Sequence, residues 1–114
     1  MKYMLLIYSS TAREEFNQLP EDEQKAVYSE YMEIAQAPGV VGGDQLQPVE
    51  TSTTVRVEDG RTLTTDGPFI ETKEELGGYY LYEADDLDAA IELAARIPAA
   101  RLGGAVEVRP VVER

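Results

Sequence analysis

The sequence predicts an α+β domain in which an antiparallel sheet carries two helices on one face. Two stretches of helical periodicity are each bracketed by short β-rich runs. An Asp-Gly pair joins two alternating runs in the middle of the chain. The 114 residues leave room for one core, because domains commonly run about 100–150 residues. Residues 1–114 are therefore read as a single domain. With 43% apolar and 28% charged residues, the composition is that of a globular chain.

Residues 2–9 hold an unbroken apolar stretch from Tyr3 to Tyr8, too short for a buried helix, and read as a strand covered on both faces. Segment 10–20 is polar and ends in Leu19-Pro20. Proline suits a helix start, and Glu21, Asp22 and Glu23 favour the positive end of a helix dipole. Val27, Tyr31, Ile34 and Ala35 recur at i, i+4, i+7 and i+8, widened by Tyr28 and Met32, predicting a helix over about 20–36 stopped by Pro38-Gly39. Val40-Val41-Gly42-Gly43 reads as a connector and 44–50 as a short strand. Thr53–Glu58 alternates, Asp59-Gly60 turns the chain, and Arg61–Thr65 returns. That is a hairpin, because a type I′ turn needs positive φ at both central residues. Asp66-Gly67-Pro68-Phe69 interrupts the strand pattern before Gly77-Gly78 opens a strand at Tyr79–Tyr82. Asp85 or Asp86 can cap a helix whose stripe is Leu87, Ala90, Ile91, Ala94 and Ile97, ended by Pro98. Ala105–Val111 alternates as the last strand, with Pro110 suited to an edge. The order is β-α-β-β-α-β with an added hairpin, the ferredoxin-like plan. Helices on one face leave an apolar sheet face that a monomer would hold in water, so a two-fold homodimer is expected.

Cysteine and histidine are both absent. Disulfides, thiolate nucleophiles, cysteine-ligated metals and every histidine-containing triad are thereby excluded. Ten basic against 22 acidic residues give a formal charge of −12, which repels phosphate backbones and anionic lipids. Nucleic acid and membrane are not expected as partners; a basic protein is the charge-matched alternative. The start of the chain is a poor signal peptide and no apolar run approaches the roughly 20 residues of a membrane span. A cytoplasmic location is expected. No calcium-loop, phosphate-loop or dinucleotide pattern occurs, so no metal or cofactor is expected.

The segments Met1–Tyr8, Thr54-Val55-Arg56, Asp66–Tyr79, Asp86–Ala90, Ala95–Ala99 and Val106–Pro110, in that order, carry a resemblance. The chain resembles the YCII-related family, in its DGPF-domain branch. The resemblance implies a dimeric α+β barrel with a ferredoxin-like protomer. Some relatives have a histidine–aspartate active site, with a lyase-like dehalogenating activity in one branch; without histidine, that dyad cannot operate here. Many members of the branch are encoded beside extracytoplasmic-function sigma factors, which implies a signalling role and a sigma factor as partner.

The candidate ligand-binding residues are Asp66, Gly67, Pro68, Phe69, Glu71, Lys73, Tyr79 and Arg109. Each also has a structural reading. Asp66-Gly67-Pro68 suits a turn, Phe69 suits a core, and Glu71 and Lys73 suit a solvated face. Arg109 suits a carboxylate pair. Tyr79 takes the face opposite Tyr80 and Tyr82. The leading expectation is a homodimeric ligand-binding or regulatory module that is not catalytic, with its pocket between the sheet and the Asp66–Lys73 loop. The alternative is a small cofactor-free lyase or isomerase with Asp66 or Glu71 as base and Lys73 or Arg109 holding an anionic substrate.

Overall fold

The computed structural model describes residues 1–9 and 16–114; the expected polar segment 10–20 lies partly outside the described residues. Four strands form the main sheet: β1 (Lys2–Ser9), β2 (Val40–Gln45), β5 (Glu75–Glu83) and β6 (Ala105–Pro110). Their spatial order is β2-β5-β1-β6 and every neighbouring pair is antiparallel. Strands β3 (Thr53–Glu58) and β4 (Arg61–Asp66) form a separate two-stranded sheet. Helix α1 spans Glu21–Ala35 and α2 spans Leu87–Ala95. This α+β architecture is compatible with a ferredoxin-like fold.

Alternation along β1 sorts the chain. Tyr3 and Leu5 are buried beneath the helices, with Ile7 packed alongside; Met4, Leu6 and Tyr8 point the other way and are half-buried. The same rule puts Tyr80 and Tyr82 of β5 and Val106 and Val108 of β6 on the helix side. There they meet Ile34 of α1 and Ala90, Leu93 and Ala94 of α2, with Ile97 just beyond it. The Tyr80 hydroxyl reaches across the core and donates to the Tyr31 carbonyl at 2.9 Å.

The structure moves several boundaries and faces. β2 begins at Val40, so the expected connector is strand, and it ends at Gln45 rather than 50. A double glycine is poor strand sequence, but tertiary pairing with Tyr79–Tyr82 overrides it. At Gly43, φ is +146° and an added Cβ would sit 2.5 Å from the Tyr79 carbonyl, so close approach to β5 demands glycine. β5 begins at Glu75, upstream of the expected start. It carries a bulge at Gly77, because Ile7 opposes Gly78 while Tyr8 opposes Leu76. Of the α1 stripe, Val27 and Ile34 are buried and Tyr31 is half-buried, but Tyr28, Met32 and Ala35 are exposed. Tyr28 instead meets Phe16 edge-to-face at 5.4 Å. On α2, Asp86 caps by accepting from the Ala89 N–H at 2.9 Å, and Leu93 replaces Leu87 and Ile91 in the buried stripe. Among the described residues, no helix is long and apolar enough to cross a membrane.

Ile34 is 1% exposed at the centre of the core, so Ile34→Ala is expected to cost about 2–5 kcal/mol in denaturant unfolding at unchanged m-value. Burial pushes the Tyr80 hydroxyl up to about 12. A raised folded value means the folded state holds the proton more tightly. The associated stability is complete below the unfolded tyrosine value of about 10 and is lost as pH rises towards 12. Burial raises the Tyr31 hydroxyl as well, so ultraviolet titration of the seven tyrosines should show a late fraction that shrinks without vanishing in Tyr80→Phe.

Candidate functional site

Local chemistry builds the β3–β4 hairpin. Asp59 and Gly60 turn it with φ of +50° and +76°, and Glu58 opposes Arg61 across the turn. At the open end Thr53 opposes Asp66. Gly67 then closes the hairpin at φ +99°: its N–H donates to the Ser52 carbonyl and its carbonyl accepts from the Thr54 hydroxyl, both at 2.8 Å. Positive φ makes glycine the natural residue for this seal. Asp66-Gly67-Pro68 is thus a strand end and turn.

Pairing also assigns the hairpin's two faces. Residues directly opposite share a face, so Asp66 lies with Thr53, Val55, Val57, Thr62 and Thr64. Arg56, Leu63 and Thr54 lie on the other. Phe69 sits on that second side, with the Arg56 guanidinium 4.5 Å from its ring centroid. Phe69 is 64% exposed and is not a core residue. Asp66 and Phe69 therefore flank opposite faces of the hairpin, although only two residues separate them. Glu71 and Lys73 follow in an exposed segment where the Thr72 hydroxyl donates to the Glu74 carbonyl. No ion pair joins Glu71 to Lys73.

Tyr79 and Arg109 lie on the sheet face away from the helices. Tyr79 opposes Leu6 on one side and Asp44 on the other; Arg109 opposes Met4. Two inter-strand spacings, about 10 Å, separate their strands. Arg109 is paired at 2.5 Å with Glu107 of its own strand, a surface pair rather than a buried one. Between them runs a row of half-buried apolar side chains, Met4, Leu6, Tyr8 and Leu81, next to the exposed Leu76. Among the described residues, no hydrogen bond, ion pair or ring contact connects Asp66–Lys73 to Tyr79 or Arg109. Within one chain the eight candidates form two groups.

Sequence reasoning missed two features. Asp44 lies beside Tyr79 because β2 pairs with β5, a partnership that local pattern does not reveal. On the helix side, Arg101 clamps Glu30 through two hydrogen bonds of 2.8 and 2.6 Å, across 71 residues of sequence. The pair borders a shallow depression of about 250 Å³ with Glu33, Ile34 and Arg96. The guanidinium holds the Glu30 carboxyl below the usual carboxylate range, and Glu30 raises Arg101 in return. Both side chains are well exposed, so the bridge is a modest contributor to stability. Among the described residues, no three acidic side chains converge to hold a metal ion. Asp66 and Glu71 are both exposed in the single chain. The surface thus presents an exposed Phe69 ring stacked by Arg56 and, apart from it, an apolar sheet face.

A lowered folded value for Glu30 contributes stability above the unfolded carboxylate value of about 4.3 and loses it as pH falls through the folded value. Arg101→Gln should move the Glu30 carboxyl resonance midpoint up into the ordinary range and make the acid limb of the stability curve shallower. An unchanged midpoint would contradict the clamp.

A family model described as the YCII-related domain matches residues 1–114. An uncharacterized protein of Rhizobium meliloti (strain 1021) is 34% identical over 117 residues, covering 97% of this chain and 92% of that protein. With the match running the whole length of the sequence, the chain belongs to the YCII-related family.

Proposed function

We propose that the protein is a homodimeric, non-catalytic ligand-binding or regulatory module of bacterial signalling, whose two-fold partner covers the open sheet face in a dimeric α+β barrel. The observation that carries this reading is that face itself. Met4, Leu6, Tyr8, Tyr79 and Leu81 form a continuous apolar row with no helix over it. Such a row in water favours association by about 25 cal/mol for each Å² of apolar surface covered. The charge pattern supports the same surface. In a chain of formal charge −12, the face carries near-balanced charges: Lys2 opposes Glu83, and Arg109 pairs with Glu107. A second copy is least repelled there. The Asp66–Phe69 segment, the Tyr79–Asp44 edge and Arg109 supply the polar and aromatic groups of this reading that select a ligand. The family resemblance adds a sigma factor as protein partner, and the acidic surface suits the basic regions of such a protein.

Two measurements test the reading. Light scattering behind size exclusion should give twice the 12.6 kDa chain mass, and Leu6→Glu should return it to a monomer that is still folded by circular dichroism. A thermal-shift screen against a metabolite library should yield a ligand whose effect is lost in Asp66→Ala. At 100 times its dissociation constant, such a ligand stabilises by about 2.7 kcal/mol. A turnover abolished by Asp66→Ala, with the fold intact, would overturn the non-catalytic reading.

A further inference from the structure

The β3–β4 hairpin has no cover of its own. All of its residues except Thr54 are exposed, including Val55 at 60% and Val57 at 68%. A two-stranded hairpin with no packed face is marginally stable in water. Something must therefore hold it, and the molecule's shape indicates what. The radius of gyration is 16.0 Å, against about 13 Å for a compact chain of this length. The extents are 49 × 41 × 19 Å. A helix layer on a sheet layer, about 10 Å apart, accounts for the 19 Å thickness. No third layer fits, so the hairpin does not fold back over its own sheet; it extends the slab sideways.

A hairpin beside the slab is within reach of whatever stacks on the open sheet face. We propose that the hairpin is an arm that lies over the open face of a second copy, so that each binding site combines Asp66 of one protomer with Tyr79, Asp44 and Arg109 of the other. The proposal rests on the dimeric reading above. The docking side of the arm is the one bearing Val55, Val57, Thr62, Thr64 and Asp66, since the reverse side carries Arg56, Glu58 and Arg61. Desolvating threonine and valine costs far less than desolvating three charges. Asp66 is then the one carboxylate that this side of the arm carries to the interface, and Arg109, paired with Glu107 in its own chain, is a cation on the face it meets.

Area supports the same occupant. Four strands of about six paired residues present roughly 400 Å² of flat surface, about half of the 800 Å² per partner of a standard interface. The arm adds roughly 200 Å² more, and side-chain relief raises the total towards that standard. Stable interfaces begin at about 600 Å² per partner, a size that face plus arm reaches and the sheet face alone does not.

The absence of cysteine makes a clean experiment. Val57→Cys is placed in one chain and Leu6→Cys, Leu76→Cys or Leu81→Cys in a second chain carrying a tag. The two are mixed, allowed to exchange and treated with a bismaleimide of about 10 Å reach, while light scattering reports the mass. A covalent tagged–untagged heterodimer with at least one of the three face positions is the expected result. A dimeric mass without any such cross-link would overturn the arm and leave the dimer standing. A monomeric mass would overturn both. Replacing Thr53–Asp66 by a short Gly-Ser turn should weaken dimerisation at least tenfold while the far-ultraviolet spectrum keeps its helical signal; undiminished dimerisation would also overturn the arm.

Discussion

The register of β1 between β5 and β6 is the constraint on which the rest depends. Because side chains alternate, one choice of pairing sends Tyr3, Leu5 and Ile7 to the helices and Met4, Leu6 and Tyr8 to the opposite face. A slip of one residue would exchange the two sets. The Gly77 bulge adjusts that rule locally. It turns Leu76 to the side of Tyr8, where simple alternation from Gly78 would have sent it under the helices. The apolar row of the open face is therefore longer than the strand pattern alone would make it.

Both kinds of face are built from one repeating pattern, but their energetics differ. The helix face is closed within the chain. Ile34, Ala90, Leu93 and Ile97 cover it, and the Tyr80 hydroxyl finds the Tyr31 carbonyl rather than remaining unpaired. The open face is closed only to the extent that its own side chains shield one another. Acidic residues gather on α1 and in the Glu71–Glu75 segment, away from the centre of the sheet.

Much of the fold was legible wherever the signal is local. The Asp59-Gly60 hairpin, a cap at Asp85 or Asp86, the acidic start of α1 and the apolar run of β1 all depend on residues within a few positions of one another. The sequence failed to show features created by distant partners. Val40–Gln45 reads as a connector because glycine disfavours strands, yet Tyr79–Tyr82 supplies the pairing that makes it one. Glu30 and Arg101 carry no mutual signal, since their meeting requires the whole sheet between them to be in place. The candidate site shows the same division. The Asp66-Gly67 turn was readable from its residue types. Its separation from Tyr79 and Arg109 was not, nor was the placement of Asp66 and Phe69 on opposite sides of the hairpin.

The Gly67 seal has a consequence for how the protein opens and how it can change. Its two hydrogen bonds close the hairpin at its base, so the hairpin is one cooperative unit and the packed sheet with its helices is another. The first can melt and re-form while the second stays native, at a small fraction of the global unfolding free energy. Substitutions in the hairpin then change that unit with little effect on the core. Related chains can vary what this segment contacts while inheriting an unchanged scaffold.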